Sequence, residues 1–236
     1  MTLFGDLALP PVAWLPGIGL SMLTGWLLTE LIRRIPPWLE WQFAGSQGPS
    51  PLLAGETARG HAVLTQALTA LALAAAVLRF DQGSAMAAAA MVSLWLIPLA
   101  IIDHETRLLP DCLTLSGLWL GLLFAVQTSL IAPAAAILGA AGGYLLLRLP
   151  DVLYLWLTGR SGMGGGDCKL LAMLGAWLGP AALAPILVLA AGGGATVALI
   201  AIARGKRSRR ETMAFGPWLA MAGWLTLLWG PSWTPG

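Results

Sequence analysis

Two acidic segments stand out because their carboxylates border long apolar runs. One is IIDHETRLLPDCLTL, which contains Asp103, Glu105 and Asp111, and the other is SGMGGGDCKLLAMLGAWLG, which contains Asp167. Burial disfavours the charged form of a carboxyl group and raises its pKa, and a second carboxylate nearby raises one of the two pKa values further. Two carboxyl groups that share one proton can activate a water molecule and protonate a leaving amine. Asp103 and Asp167 are therefore candidates for a catalytic pair that hydrolyses peptide bonds.

An aspartate at the start of a helix has a simpler interpretation, because its side chain can cap the free N–H groups of the first turn. Asp111 and Asp167 both fit a helix N-cap. The glycines before Asp167 favour a further role, since Gly164, Gly165 and Gly166 carry no Cβ and allow either a close backbone approach or a positive φ. A phosphate-binding loop is disfavoured, because GMGGGDCKL differs from GxxxxGK[ST] and places an acid where the anion would bind.

The composition places these residues in a membrane protein. Hydrophobic residues make up 58% of the chain, charged residues only 10%, and the mean hydropathy is +0.79, whereas soluble domains are about 25% charged. A net charge of +2 gives no reason to expect nucleic acid as a partner. Cys112 and Cys168 are too few for a disulfide framework or a four-thiolate zinc site.

Long uncharged runs indicate the helices, because a charge at the centre of a bilayer costs about 2.5 kcal/mol or more and a spanning helix needs about 20 apolar residues. Breaks are expected near Ala132–Pro133 and Gly179–Pro180. The sequence therefore predicts an all-α, polytopic membrane protein of about eight transmembrane helices, forming one domain over 1–236 with a cytoplasmic loop at 33–59. The expected spans are 10–32, 61–79, 85–102, 113–130, 134–157, 170–179, 182–203 and 214–230.

The distribution of Lys and Arg predicts the orientation. With the N-terminus outside, the inner loops hold all 13 basic residues except Arg79 and Arg148, as the positive-inside rule requires. Both candidate aspartates then face the cytoplasm. Arg33 and Arg34 follow the first apolar run, so we expect an anchor there rather than a cleaved signal peptide. Arg148 and Asp151 are three residues apart in one expected span and should neutralise each other.

Four segments resemble the type IV prepilin peptidase family, the leader peptidases of the GxGD class of intramembrane aspartic proteases. IIDHETRLLPDCLTLSGLWLGLL is similar to the family's first aspartate block, and GMGGGDCKLLAMLGAWLG, with GxGD at Gly164 to Asp167, is similar to the second. MAFGPWLAMAG at 213–223 resembles the family's FGP element, and RIPPWLE at 34–40 resembles the segment after its first span. The order of these blocks agrees with the family over nearly the whole chain.

The resemblance implies an inner-membrane endopeptidase that cuts the basic leader from prepilins or pseudopilins, after a glycine and at the cytoplasmic face. These substrates belong to type IV pili or type II secretion. By position in the motifs, the family's catalytic aspartates fall on Asp103 and Asp167, with Gly164, Gly166 and Lys169 in the supporting loop. Many members also methylate the new N-terminus with S-adenosylmethionine. The implied partners are the substrate proteins and the lipid bilayer.

The chain departs from larger family members in its first cytoplasmic loop. Those members carry paired CxxC motifs that bind zinc, whereas 33–59 contains no cysteine and resembles the compact members. We therefore expect no metal site and no cofactor for peptide hydrolysis, and we expect methylation to be retained without zinc. Asp111, in the LPD element, does not match a catalytic residue of the family.

Two other classes of function use acids at the membrane edge. A lipid-modifying transferase would need a metal site or a basic phosphate pocket, and the sequence indicates neither. An ion-coupled transporter or a secretion-assembly scaffold could use Asp103 and Asp167 as coupling acids. Such acids would be expected near the bilayer midplane, however, whereas these lie at one face. The peptidase interpretation is therefore preferred.

Overall fold

The computed structural model describes residues 23–32, 56–80, 83–128, 130–160, 162–205 and 214–229, with side chains from residue 63 onward in the second range. Regular structure within these ranges is helical. Residues 10–22 of the first expected span and 33–55 of the expected loop, with the RIPPWLE segment, lie outside the described residues. Residues 56–59, also expected in the loop, instead begin a helix. The helices are α1 (Leu23–Ile32), α2 (Glu56–Arg79), α3 (Ser84–Thr106), α4 (Asp111–Gln127), α5 (Pro133–Thr158), α6 (Gly165–Leu178), α7 (Leu183–Ala203) and α8 (Gly216–Trp229).

The prediction of an all-α, polytopic membrane protein is confirmed. The expected breaks are also present, since α5 begins at Pro133 and Gly179 separates α6 from a short 3₁₀ turn at Pro180–Ala182 that leads into α7. Proline is favoured at these positions because the N–H of the first helical residue has no acceptor within the helix. Among the described residues, three segments are long and apolar enough to cross a membrane, namely Ser84–Thr106, Pro133–Thr158 and Pro180–Ala203.

α6 is the central helix of the described structure. Its residues from Leu170 to Leu178 are buried, and it packs against α5, α4 and α8. The sequence predicts a short sixth span, and α6 has only 14 residues, which corresponds to about 21 Å of helix. Because neighbouring helices surround it, α6 does not need the length of a helix that faces lipid.

Small residues let α5 and α6 approach closely. A Cβ added to Gly143 of α5 would lie 2.5 Å from the carbonyl oxygen of Leu171 and 3.0 Å from the Cα of Ala172. One turn earlier in α5, Gly139 faces Gly175 in the same way. Backbone contact of this kind is typical of membrane helices that pack through glycine. The crossing fixes α6, and therefore its first turn, against the long helix α5.

Tryptophans connect the helices around α6. The indole N–H of Trp177 in α6 donates to the carbonyl oxygen of Gly117 in α4 at 2.8 Å. The indole N–H of Trp224 in α8 donates to Ser93 Oγ in α3 at 3.1 Å. An indole combines a large apolar surface with one donor that needs a partner when buried. These contacts join α6 to α4 and α8 to α3.

Candidate active site

Asp103 lies in the last turn of α3, where this helix meets the start of α8. Only 5% of the residue is exposed, and its Oδ2 accepts a hydrogen bond of 3.0 Å from the N–H of Gly216. Gly216 is the first residue of α8, so its N–H is one of those that the helix itself cannot satisfy. Arg107 follows α3 with φ 56°, and its N–H donates to the carbonyl oxygen of Asp103 at 2.9 Å. Backbone groups therefore hold Asp103 from both sides.

Gly216 contacts Asp103, and the sequence analysis did not single it out. A Cβ at this position would lie 2.6 Å from Oδ2 and 2.8 Å from Cγ of Asp103, so a side chain there would displace the carboxylate. Pro217 follows, and a proline in the first turn favours the start of a helix. The FGP element at 215–217 carried this signal, because it places the smallest residue at the beginning of an apolar span.

Asp167 lies in the first turn of α6 but is not its N-cap. Gly164 is the N-cap, and its carbonyl oxygen accepts a hydrogen bond of 3.1 Å from the N–H of Asp167. Pro110 likewise is the N-cap of α4, one residue before Asp111. The N-cap interpretation of both aspartates is therefore wrong, because each helix begins earlier than the acid. An acid in the first turn still interacts favourably with the positive end of the helix.

Asp103 and Asp167 are close enough to interact electrostatically. Asp167 is partly exposed and lies outside the segments that are long and apolar enough to span a membrane. Burial raises the pKa of Asp167 from 3.8 to about 7, and the charge of Asp103 acts in the same direction with a smaller effect. A carboxyl group with this pKa is about half protonated near neutral pH. The structure thus brings the two aspartates selected from the sequence to the same end of the helices.

The glycines before Asp167 provide space rather than unusual backbone angles. Gly164 has φ −68°, and Gly165 and Gly166 are not among the positive-φ glycines of the described residues, so the expectation of a positive φ is wrong. A Cβ on Gly166 would lie 2.7 Å from the Cβ of Leu109. One on Gly164 would lie 3.4 Å from Asp167 Oδ2, and one on Gly165 would meet no atom within 4 Å. Gly166 therefore permits a close approach, although to a side chain rather than to backbone.

Lys169 connects the starts of α4 and α6. Its Nζ lies 2.6 Å from Oδ1 of Asp111, whose side chain is 59% exposed. An exposed ion pair contributes about 0–1 kcal/mol to stability, so its effect is mainly on geometry. Together with the contact between Leu109 and Gly166, it holds the segment that joins α3 to α4 against the first turn of α6.

The described residues contain no group of three or more His, Cys, Asp or Glu side chains that could hold a metal ion. Two cavities lie beside α3: one of about 280 Å³ between α2, α3 and α8, and one of about 250 Å³ that α1, α3 and α4 line. Almost all side chains that line them are apolar. Neither cavity fits a charged cofactor such as S-adenosylmethionine, which would need polar or charged partners.

The fold and the site define a polytopic helical membrane protein with paired aspartates at one end of its helices. Residues 90–200 match the model of the type IV leader peptidase family, and this range contains both Asp103 and Asp167. The matched part of the chain, which holds the site, belongs to the type IV leader peptidase family. The family expected from the sequence motifs is thereby confirmed.

Similar proteins carry the name prepilin leader peptidase/N-methyltransferase. The chain is 39% identical to the protein of this name from Aeromonas hydrophila over 195 residues. The aligned region covers 83% of this chain and 64% of the relative. The chain is 40% identical over 167 residues to that of Xanthomonas campestris pv. campestris, with 71% and 58% covered. For Pectobacterium carotovorum subsp. carotovorum the identity is 43% over 160 residues, with 68% and 57% covered. The chain spans about three fifths of the length of these curated relatives, and no solved structure matches it.

Gly166→Ala is expected to destabilise the protein, whereas Gly165→Ala is not. The methyl group at 166 would press on Leu109, and overpacking costs about 1–3 kcal/mol. At 165 it meets open space and gains about 0.4–1 kcal/mol by restricting the unfolded chain. Thermal unfolding in detergent micelles measures the difference: the Tm should fall for Gly166→Ala and stay equal or rise for Gly165→Ala. Equal Tm values would show that the loop accepts a side chain at either position.

Proposed function

We propose that this chain is a membrane aspartic endopeptidase that removes the leader peptide from prepilins or pseudopilins, with Asp103 and Asp167 as its catalytic residues. The observation that carries the proposal is the pair itself: Gly216 holds Asp103, and the charge of Asp103 acts on Asp167, whose pKa is raised to about 7. The family and the names of the similar proteins support the choice of substrate. The resemblance of the motifs supports cleavage after a glycine.

In the proposed mechanism, the two carboxyl groups differ in protonation before the reaction begins. Asp103 accepts a hydrogen bond from Gly216 at the N-terminal end of α8, and this donor and the positive end of the helix offset part of the cost of burying a negative charge there. Asp167, with a pKa of about 7, is the group that keeps a proton close to neutral pH. Such a difference between two carboxyl groups distinguishes a general base from a general acid.

In the proposed reaction, ionised Asp103 takes a proton from a water molecule whose oxygen attacks the carbonyl carbon of the scissile bond. Asp167 donates its proton to the carbonyl oxygen, and a gem-diol forms. When the carbon–nitrogen bond breaks, Asp103 passes its proton to the leaving nitrogen, and Asp167 recovers a proton from the gem-diol. The pair returns to its starting state, so the two residues complete the cycle of acid and base catalysis.

Basic residues support a cytoplasmic position for the site, in the inner membrane. Arg107 follows α3, Arg160 follows α5, Arg204 follows α7, and Lys169 lies near the start of α6. Successive spanning helices run in opposite directions, so these helix ends share one face with both aspartates. The positive-inside rule assigns a face with this excess of Lys and Arg to the cytoplasm.

Methylation of the new N-terminus, with S-adenosylmethionine as the donor and without zinc, is a second proposed activity. The similar proteins are named leader peptidase/N-methyltransferases, which supports it. The apolar cavities in the described part of the chain do not fit the charged donor. A site for this donor would therefore need other residues than those that line the cavities.

Asp103→Asn and Asp167→Asn should each reduce cleavage by a factor on the order of 1,000 or more, because neither variant can complete the proton transfers. The substrate is a synthetic peptide with a basic leader, a glycine and an apolar segment, and mass spectrometry of the products measures cleavage and its position. Asp111→Asn is the matched control. It removes an acid near the site but should keep substantial activity, since its ion pair with Lys169 is exposed.

Each of these variants should retain the elution volume of the unsubstituted protein, so that loss of cleavage reports chemistry rather than unfolding. Full loss in Asp111→Asn together with normal activity in Asp103→Asn would contradict the proposed pair. If the unsubstituted chain cleaves no peptide but carries a proton-coupled flux in proteoliposomes, the ion-coupled transporter is the better assignment.

The rate of cleavage should have a bell-shaped pH dependence with its upper limb near pH 7. Above the raised pKa of Asp167, about 7, the pair loses its proton and the acid can no longer donate. At low pH the base is protonated as well. An N-terminally acetylated peptide without groups that titrate in this range confines the effect to the enzyme. A chelator should leave the profile unchanged, and a rate that is constant between about pH 5 and pH 9 would contradict the mechanism.

The same pKa can be tested without substrate. Because the folded-state pKa of Asp167 lies above the ordinary value of 3.8, the contribution of this group to stability is greatest at low pH and is lost as the pH rises from about 4 to about 7. Asp167→Asn removes this loss. The Tm of Asp167→Asn minus the Tm of the unsubstituted chain should therefore increase as the pH rises from about 4 to about 7. A Tm difference that stays constant over this range would argue against the raised pKa.

Methyl transfer should continue after exhaustive chelation. The purified protein is incubated with the peptide and methyl-labelled S-adenosylmethionine, and the label is expected on the N-terminus of the cleaved product. Asp167→Asn should give no labelled product from the full peptide, because no new N-terminus is released, but should label a peptide that is supplied already cleaved. A cleaved and unlabelled product from the unsubstituted chain would leave peptide cleavage as the only activity.

A further inference from the structure

A buried acid outside the catalytic pair contacts the segment that leads to Asp167. Asp151 lies in α5, about two turns before this helix ends at Thr158, and only 5% of the residue is exposed. A charge buried inside a membrane protein is costly unless partners satisfy it. The pair with Arg148 expected from the sequence is confirmed, with Nη1 of Arg148 2.9 Å from Oδ2 of Asp151.

The second oxygen of this carboxylate makes contacts that the sequence did not predict. Oδ1 of Asp151 accepts hydrogen bonds from two consecutive backbone N–H groups, at 2.9 Å from Gly162 and 3.1 Å from Met163. Consecutive N–H groups that converge on one oxygen form a small site for a negative charge. The carboxylate in α5 therefore fixes the backbone just before α6.

The segment fixed in this way continues directly into the first turn of α6. Gly164 follows Met163, and its carbonyl oxygen accepts the N–H of Asp167 at 3.1 Å. Glycine has more conformational freedom than any other residue, and a Cβ at Gly165 would meet no atom within 4 Å. The hydrogen bonds that Gly162 and Met163 donate to Asp151 supply a restraint that the glycines themselves lack.

Charge balance alone does not account for this geometry. Arg148 contacts only Oδ2 of Asp151, and the side chain of Asp151 is 2% exposed, so Oδ1 needs partners of its own. A pair on one helix also has no need of contacts with the loop. Burial and the charge of Asp103 are the causes that raise the pKa of Asp167, and Asp151 is not one of them. The hydrogen bonds from Gly162 and Met163 to Asp151 are therefore the connection between this acid and the first turn of α6.

We propose that Asp151 is a positioning residue of the peptidase, which holds Gly162 and Met163 so that the first turn of α6 presents Asp167 to Asp103. The consequence for catalysis rests on the proposed function. The restraint on the loop does not, and it can be measured without substrate.

Asp151→Leu removes both acceptor oxygens and keeps the number and branching of the side-chain heavy atoms. It should lower kcat by about 100-fold, which is the scale of loss for a displaced catalytic group, while KM changes by less than about threefold because substrate contacts are kept. Arg79→Met is the matched control. It deletes a part-buried hydrogen bond of 2.8 Å to the carbonyl oxygen of Leu228, near the far end of α8 from Gly216, and should leave both constants unchanged.

A second pair of variants separates positioning from charge balance. In Asp151→Asn the amide oxygen is drawn to Arg148, and its NH₂ group then faces the two N–H donors of the loop, so kcat should fall by about 10-fold. Adding Arg148→Met frees the amide oxygen to accept from the loop, and kcat should return close to the unsubstituted value. A role limited to charge balance would change the Tm of these variants but not kcat.

Amide hydrogen exchange over 162–167 measures the restraint directly. We expect faster exchange in Asp151→Leu and near-normal exchange in the double variant. Unchanged amide exchange and unchanged kcat in a folded Asp151→Leu protein would overturn the proposal. A kcat of the double variant, Asp151→Asn with Arg148→Met, that is as low as that of Asp151→Asn alone would also overturn it. If Asp151→Leu does not fold, the kcat values of Asp151→Asn and of the double variant test the proposal instead. If the unsubstituted chain cleaves no peptide, the proposed function fails, and exchange alone decides whether Asp151 holds the loop.

Discussion

The hydrogen bond from the N–H of Gly216 to Asp103 joins residues 113 positions apart, and the arrangement of the site depends on it. A carboxylate that is almost fully buried needs a donor, because an unpaired charge in an apolar region is strongly disfavoured. The free N–H at the start of α8 meets this need and at the same time gains a partner for itself. The contact therefore couples the end of α3 to the beginning of α8. The absence of a Cβ at 216 makes the short approach possible.

The second aspartate is held by several weaker contacts. The glycine contacts between α5 and α6 fix the body of α6, while Leu109 and the pair of Lys169 with Asp111 restrain its first turn from the side of α4. Two N–H groups of the loop before α6 donate hydrogen bonds to Asp151. Each contact comes from a different element, so the position of Asp167 reflects the packing of the whole bundle rather than the GxGD motif alone.

The expected helices agree with the structure because the cost of burying charge is a local property that can be read along the chain. α5 begins at Pro133 and α7 follows Gly179 through a short turn, as the breaks in the uncharged runs indicate. The N-cap assignments were wrong because glycine and proline compete with aspartate for that position, and propensity alone does not rank them within one turn. The contact of Gly216 with Asp103 and those of Asp151 with the loop before α6 could not be predicted, because they depend on how distant parts of the chain pack together. The catalytic roles of Asp103 and Asp167 stay predictions from the motifs.

The short length of α6 has a consequence for the depth of the site in the membrane. About 21 Å of helix is less than the roughly 30 Å of hydrocarbon in a typical bilayer. Because neighbouring helices surround α6, the lipid does not have to adapt to its length, and α6 can stop below the headgroups at one end. An end at this depth lies closer to the midplane than the headgroups do. Under the proposed function, a substrate anchored in the membrane by its own apolar helix would then present its adjacent polar segment to the aspartates without being pulled out of the lipid.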